Sequence, residues 1–315
     1  YESARQGWLY ALPIASVTSI NDRPVADGDV LATNDLSLLH SAGFPSRTKV
    51  EYESYLNFLA EVDLPSWRRQ QEVALPTDSN PRSRVLAAKW YAQAANTHSV
   101  SERLVQVNAG GADEVGRTAQ AGADAVFVER LMTWFNQQPY FYTLKVPALG
   151  EHSVDAFFFD TRAGFCEHYA SAFVFMLRSV GIPSRVVIGY QGGEQNPYDQ
   201  SLAVRQFDAH AWAEVWFEGR GWQRFDPTAQ VAPQRILSGL ERGLSDSSEF
   251  KAGGWLSPFR YQSVGWLQWA RLRWDAVNHS WQRWVVNFDT AQQTALLKGV
   301  LGELSLTRLA VATAL

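Results

Sequence analysis

Thr161 to Gly192 reads T-R-A-G-F-C-E-H-Y-A-S-A-F-V-F-M-L-R-S-V-G-I-P-S-R-V-V-I-G-Y-Q-G, and it carries the one cysteine of the chain, Cys166. Ala170, Phe173, Val174 and Leu177 recur at the spacing of an apolar helical stripe, and Cys166 extends that stripe one turn upstream. Gly181 stops the helix and Pro183 prevents it from resuming. Arg185 to Tyr190 then reads as a β-branched strand ended by Gly192-Gly193. The spacing therefore places a thiol on the inward face of a helix, in its first turn. Unpaired backbone N–H groups and the positive end of the helix dipole favour thiolate over thiol there. Free cysteine is also among the most buried residue types, so Cys166 taken alone fits an inert core position equally well.

A base separates the two readings, because a cysteine nucleophile needs a general base within reach and a third group that orients it. Of the six histidines, His168 lies two residues on, roughly 200° around the helix, and points away from Cys166. His210 opens the run A-H-A-W-A-E-V-W-F, where His210, Trp212, Glu214 and Trp216 share one face of a strand and Ala211, Ala213, Val215 and Phe217 the other. Glu218-Gly219-Arg220-Gly221 is a turn, and Trp222 to Asp226 returns as the partner strand until Pro227 ends it. Folding the hairpin about Glu218 sets Asp226 opposite His210, within a residue or two of register. A carboxylate in that place holds the imidazole and favours its charged form.

The blocks G-F-C-E-H-Y-A, D-A-H-A-W-A-E-V-W and G-W-Q-R-F-D-P-T resemble, in order and spacing, the three motif blocks of the transglutaminase-like superfamily. The resemblance implies an α+β fold with a papain-like core, in which a helix bearing the cysteine packs on an antiparallel sheet bearing the histidine and the aspartate. It implies Cys166, His210 and Asp226 as the catalytic residues. In that superfamily an aromatic residue upstream of the cysteine often donates to the oxyanion; Tyr142, in Y-F-Y-T-L, holds that place, with core packing as its alternative role. E-Y-E-S-Y-L-N-F-L, L-P-T-D-S-N-P-R, L-G-E-H-S-V-D-A-F-F-F-D-T-R and the Trp-rich tail are similar to a narrower group, the TgpA-type bacterial proteins. That likeness covers the chain from about Val50 onward. It implies a domain on the periplasmic face of the inner membrane, anchored through segments outside this chain.

The rest of the sequence bounds these readings. At 315 residues, 46% apolar and 19% charged, the chain is long enough for two or more units with a sizeable core. A net charge of −4 with 28 thinly spread basic residues carries no electrostatic footprint for nucleic acid. A single cysteine excludes an internal disulfide framework, and without C-x-x-C or H-E-x-x-H patterns no metal or cofactor is expected. Without a leader sequence or a long apolar run, the chain reads as a soluble piece.

Residues 1–75 are expected to form an N-terminal β-rich unit, with strands at Trp8 to Leu12 and Val50 to Tyr55. Residues 76–235 form the catalytic domain: a polar linker at Pro76 to Pro81, helices over Arg82 to Ala95 and Asp124 to Gln137, and a strand at Tyr140 to Leu144. Phe157 to Phe159 is expected beneath the cysteine loop, and Gly164 where the backbone must approach a substrate carbonyl. Trp212, Trp216 and Trp222 line a tunnel or fill the core. Residues 236–315 form a Trp-rich helical region, where Leu267, Ala270, Trp274, Val277, Trp281 and Trp284 step alternately by three and four. That stripe packs on the domain or lies at a bilayer surface, and the apolar end from Leu304 leads towards a membrane span.

Three functions fit. The first is an amide acyltransferase of the protein-glutamine gamma-glutamyltransferase kind, joining a glutamine-like amide donor to an amine acceptor on protein or peptide. The second is a cysteine peptidase or amidase that uses water as acceptor, and the third a binding module without catalysis.

Overall fold

The computed structural model describes residues 7–12, 14–21, 23–33, 37–43, 48–55, 58–105, 112–233, 269–270 and 272–277, without the side chains of 97–121. Most of the Trp-rich tail, including Leu267, Trp281, Trp284 and the apolar end, lies outside the described residues.

Contacts divide the chain into two units. One is built on Tyr1–Ser54 and Glu194–Ala203, with the described part of Gly253–Leu315; the other takes Tyr55–Gly193 and continues from Val204. Residues 55–75 thus group with the second unit, and not with the N-terminal strands as the sequence suggested. In the first unit β1 (Trp8–Leu9), β5 (Leu38–His40) and β4 (Val30–Ala32) make one antiparallel sheet, and β3 (Arg23–Pro24), β2 (Ala15–Ile20) and β6 (Val50–Ser54) another. Leu9 and Leu38 form its small core, with Val17, Ile20, Val50 and Tyr52 packed around them. Strand β2 reads A-S-V-T-S-I, its alternation broken where the register shifts between Val17 and Ser19, so its apolar signal is weak, and pairing with β6 decides its state. In the described part of the tail, residues 269–270 and 272–277 are helical. Trp274 and Val277 of the expected stripe face solvent, while Ala276 is buried.

In the second unit, α1 (Ser66–Glu72) precedes two long helices, α2 (Pro81–Val105) and α3 (Ala112–Gln137), both longer than their apolar periodicity predicted. Then come β7 (Phe141–Tyr142), a turn of helix α4 (Ser153–Asp155), a π-helical segment Ala156–Thr161, β8 (Ala163–Gly164) and the central helix α5 (Cys166–Arg178). Strand β9 (Ser184–Tyr190) follows. The hairpin of β10 (Glu194–Gln195) and β11 (Leu202–Ala203) groups with the first unit. The chain then forms β12 (Ala209–Phe217), β13 (Gly221–Phe225) and the short α6 (Thr228–Val231). The sheet runs β13-β12-β9, antiparallel throughout.

Helix α5 lies between the helices and the sheet. It buries Tyr169, Ala170 and every residue from Ala172 to Leu177, far more than a single stripe. Ala87, Trp90 and Ala94 of α2, and Phe127, Leu131 and Phe135 of α3, close one side; Ala213, Val215 and Phe217 of β12 close the other. Phe157 and Phe158 fill the space beneath the cysteine loop, as their apolarity required. Burying each such aromatic is worth about 1.5–3 kcal/mol.

Pro76 to Pro81 is not a linker. Asn80 is buried, and its Oδ1 accepts the Val154 and Asp155 N–H groups at 2.9 and 3.1 Å. Asp155 answers from the other side: its Oδ2 accepts Arg82 N–H at 2.9 Å and its Oδ1 accepts Ser83 N–H at 2.8 Å. Two helix starts thus satisfy each other's orphan donors, α2 through Asp155 and α4 through Asn80. The sequence blocks L-P-T-D-S-N-P-R and L-G-E-H-S-V-D-A are the two halves of this joint.

The β12–β13 hairpin differs from expectation by one residue. Phe217 pairs with Gly221 and Ala213 with Phe225, so the turn centres on Gly219 and not on Glu218. Gly221 takes φ +69°, and a Cβ there would sit 2.1 Å from the Ala60 carbonyl oxygen, which accepts the Trp222 N–H at 3.1 Å. Only glycine meets both conditions, and that moves the turn. Asp226 therefore lies just past the last pair and reaches diagonally, not straight across, to His210.

Candidate active site

Cys166 is the first residue of α5, after Phe165 in extended conformation. It is 8% exposed, unlinked to another sulfur, and packed with Ala170 and Ala211, with Tyr142, Phe165 and Val186 around them. Its main-chain N–H belongs to the first helical turn, whose N–H groups have no acceptor within the helix.

Tyr142 reaches the cysteine through backbone pairing. Strands β7 and β8 run parallel, Tyr142 opposite Gly164, with Phe141 N–H donating to the Arg162 carbonyl at 2.8 Å and Thr143 N–H to that of Gly164 at 2.9 Å. The Tyr169 hydroxyl, one turn into α5, donates to the Phe141 carbonyl at 2.9 Å. The Tyr140 hydroxyl donates to the Phe158 carbonyl at 2.8 Å, and burial pushes its pKa up to about 12. Both phenols are neutral donors: Tyr169 ties β7 to the cysteine helix, and Tyr140 ties the residue before β7 to the π-helical segment.

His210 lies at the start of β12, 1% exposed. Its Nε2 is 2.7 Å from Asp226 Oδ2, while Asp226 Oδ1 accepts the Thr228 N–H at 3.1 Å. The carboxylate is thus held by one oxygen and holds the ring with the other. Burial is the largest single influence on His210 and alone lowers its pKa. The Asp226 hydrogen bond, the Cys166 hydrogen bond and the charges of both partners outweigh it, so the imidazole pKa stands above its ordinary value. With Nε2 engaged by Asp226, Nδ1 is the atom left to the sulfur. It is buried and makes no well-aligned hydrogen bond, although Cys166 acts on the ring. Such looseness between nucleophile and base is common before substrate binds.

The structure thus brings Cys166, His210 and Asp226 together and sets Tyr142 beside the cysteine. His168 is apart, packed between Phe165 and Phe157, where burial lowers its pKa. At Gly164 a Cβ would lie 2.8 Å from His168 Cβ and 3.0 Å from Phe157, so the glycine makes room for those side chains. Trp216 and Trp222 are core, packed with Ala60 and Leu64 and donating to the Glu61 carbonyl and carboxylate. Trp212 is half-buried beside His210, their rings 6.3 Å apart. Sequence reasoning missed Gly189 and Arg224 at this site; a glycine inside a strand was the available signal. Among the described residues, no cluster of His, Cys, Asp and Glu side chains is arranged for a metal ion.

A cysteine at the start of a buried helix packed on an antiparallel sheet that carries the histidine, with the aspartate just past its edge strand, is the arrangement of the papain-like class of folds. Within that class the chain belongs to the transglutaminase-like superfamily. The family model of that description matches residues 112–227. The chain is 41% identical over 308 residues to a protein-glutamine gamma-glutamyltransferase of Pseudomonas aeruginosa, covering 98% of this chain and 41% of that protein. It is 42% identical over 87 residues to the uncharacterized protein YebA of Bacillus subtilis, 26% of this chain and 12% of that one. Among solved structures, the periplasmic domain of TgpA from Pseudomonas aeruginosa superposes with a TM-score of 0.61 at 38% identity, over 76% of this chain and 71% of that one. The same domain bound to ethylmercury gives 0.59 at 37% identity, over 75% of this chain and 72% of that one. The chain therefore spans well under half the length of the curated relatives it matches. No helix among the described residues is long and apolar enough to cross a membrane.

Proposed function

We propose that this chain carries out amide acyl transfer of the protein-glutamine gamma-glutamyltransferase kind, through a thioester on Cys166. One observation carries the reading: Asp226 Oδ2 lies 2.7 Å from His210 Nε2, which leaves the other ring nitrogen to the only sulfhydryl in the chain. The name and the 41% identity of the Pseudomonas relative support the choice of reaction.

The Cys166 thiolate attacks the carbonyl carbon of a glutamine-like carboxamide. The oxygen takes up negative charge and is held by the Cys166 N–H and the Tyr142 hydroxyl. His210, as imidazolium, protonates the nitrogen; the C–N bond breaks, ammonia leaves and the acyl group remains as thioester. A primary amine then attacks, neutral His210 takes its proton, and the thiolate departs from a new amide. Asp226 keeps Nε2–H engaged throughout, so Nδ1 is always the proton carrier. Every proton and leaving group is accounted for without metal or cofactor.

The substrates are proteins or peptides of the cell envelope, and the catalytic unit works at the periplasmic face of the inner membrane. The likeness to the TgpA periplasmic domain supports that placement.

The test pairs a labelled primary amine with a glutamine-containing peptide. Label incorporation that disappears in Cys166→Ser supports the reading. Release of ammonia without incorporation identifies water as the acceptor and replaces transfer with hydrolysis. Ethylmercury, bound by the TgpA domain, is a second probe: soft thiolates take soft metals, so it should add once per chain, at Cys166, and block incorporation.

A further inference from the structure

Beside the imidazole lie two stacked side chains, Trp212 and Arg224, that the reaction scheme leaves unused. Trp212 shares the His210 face of β12, two residues on, with its ring 6.3 Å from the imidazole and inclined to it by 26°. It also crosses the neighbouring strand: a Cβ at Gly189, which pairs with His210, would lie 2.7 Å from the Trp212 Cη2. Gly189 is the one position of β9 without a side chain, and it lies under this ring. Over the indole sits Arg224, its guanidinium carbon 4.1 Å from the ring centroid. Arg224 is aimed by the Gln191 side chain, to which its Nη2 donates. The same Nη2 is 4.0 Å from Asp226 Oδ2, the oxygen that holds His210.

Exposure falls inward through the stack. The Arg224 side chain is 47% exposed, Trp212 is half-buried, and the His210 side chain is 0% exposed. No described group accepts a hydrogen bond from the indole Nε1. Packing over Gly189 and the cation on its face therefore hold the ring, which leaves its flat surface toward the imidazole.

We propose that Trp212, seated over Gly189 and clamped by Arg224, is a positioning residue that keeps water from the His210–Asp226 hydrogen bond and fixes the plane of the imidazole. The reasoning rests on the triad reading above, since a shield matters only if that bond orients a working base. Low local dielectric strengthens a charge-assisted hydrogen bond, and admitting water weakens it. An arginine over the indole, itself 47% exposed, also excludes bulk solvent without burying its own charge.

The experiment reads the imidazole itself. In the full chain, the His210 Nε2–H bonded to a carboxylate should give a far-downfield proton resonance that vanishes in Asp226→Asn. Its exchange with water is measured in wild type, Trp212→Ala, Trp212→Phe and Gly189→Ala, beside the alkylation rate of Cys166 by iodoacetate. Exchange on the order of tenfold faster in Trp212→Ala, with alkylation slowed on the order of tenfold, supports the proposal. Gly189→Ala, which displaces the ring without deleting it, should move both readouts the same way. If Trp212→Ala unfolds, Trp212→Phe and Gly189→Ala carry the test. Exchange and alkylation unchanged in the folded variants, whatever their melting temperatures, overturn the shield. A wild type with no Asp226-dependent resonance, and alkylation indifferent to His210→Ala, overturns the triad reading instead.

Discussion

Replacing Asp226 by asparagine changes one charge and almost no volume, and its effect on Cys166 can be worked out from the site. In wild type a carboxylate 2.7 Å from His210 Nε2, with side chains 0% and 11% exposed, supports the imidazolium. A hydrogen bond to a charged group in such a place is worth about 1.5–3 kcal/mol, which at 1.4 kcal/mol per decade is roughly 10- to 100-fold in the population of the thiolate–imidazolium pair. The asparagine side chain can also present its NH2 group and turn the ring to the wrong tautomer. The assay is the rate of Cys166 alkylation by iodoacetate across pH, since an anionic reagent favours a thiolate with a cation beside it. The imidazolium persists below the raised pKa of His210. Loss of Asp226 lowers that pKa, so the alkaline limb of the profile must move to lower pH and the rate near neutrality fall roughly 10- to 100-fold. An unchanged rate and an unmoved alkaline limb in Asp226→Asn would refute the view that this carboxylate supports the base.

Stability should follow the same linkage. A group whose pKa is raised by folding stabilises fully below its unfolded value, near 6.5 for histidine, and loses that contribution as pH climbs through the folded value. Denaturant unfolding should therefore show Asp226→Asn costing more at pH 6 than at pH 9. Tyr142→Phe should lower amine incorporation by about 10²–10³-fold while leaving iodoacetate alkylation of Cys166 unchanged, because alkylation forms no oxyanion; equal loss in both assays would assign Tyr142 to packing alone. Cys166→Ser should reduce incorporation by about a thousandfold or more with little change in melting temperature. Asp155→Ala removes the acceptor of the Arg82 and Ser83 N–H groups, at about 1–3 kcal/mol for each buried donor left unsatisfied, read by chemical denaturation.

Much of the site was legible because its parts are local patterns. The cysteine declared a helix start through the stripe that follows it, and His210 and Asp226 declared a hairpin through alternation, turn glycines and a terminal proline. Those signals depend on residues within a turn or two of one another, and the structure places Cys166 and His210 on the expected elements and Asp226 one residue past the strand expected to carry it. The register was off by one, because Gly221 answers to the Ala60 carbonyl, which hairpin chemistry alone does not reveal. Similarly, Asn80 and Asp155 looked like members of two unrelated polar segments, since each caps a helix that begins far along the chain.

From its own pattern the sequence determined that a thiol would sit at a buried helix start and that an imidazole and a carboxylate would face each other on one hairpin; hydrophobic periodicity and turn residues act over short separations. Only tertiary structure decided that these groups meet, that Tyr142 is drawn to the cysteine by a parallel pair of two-residue strands, and that Trp212 lies over a glycine of the next strand. Each of those depends on surfaces packed from distant parts of the chain, whose shape no local pattern encodes.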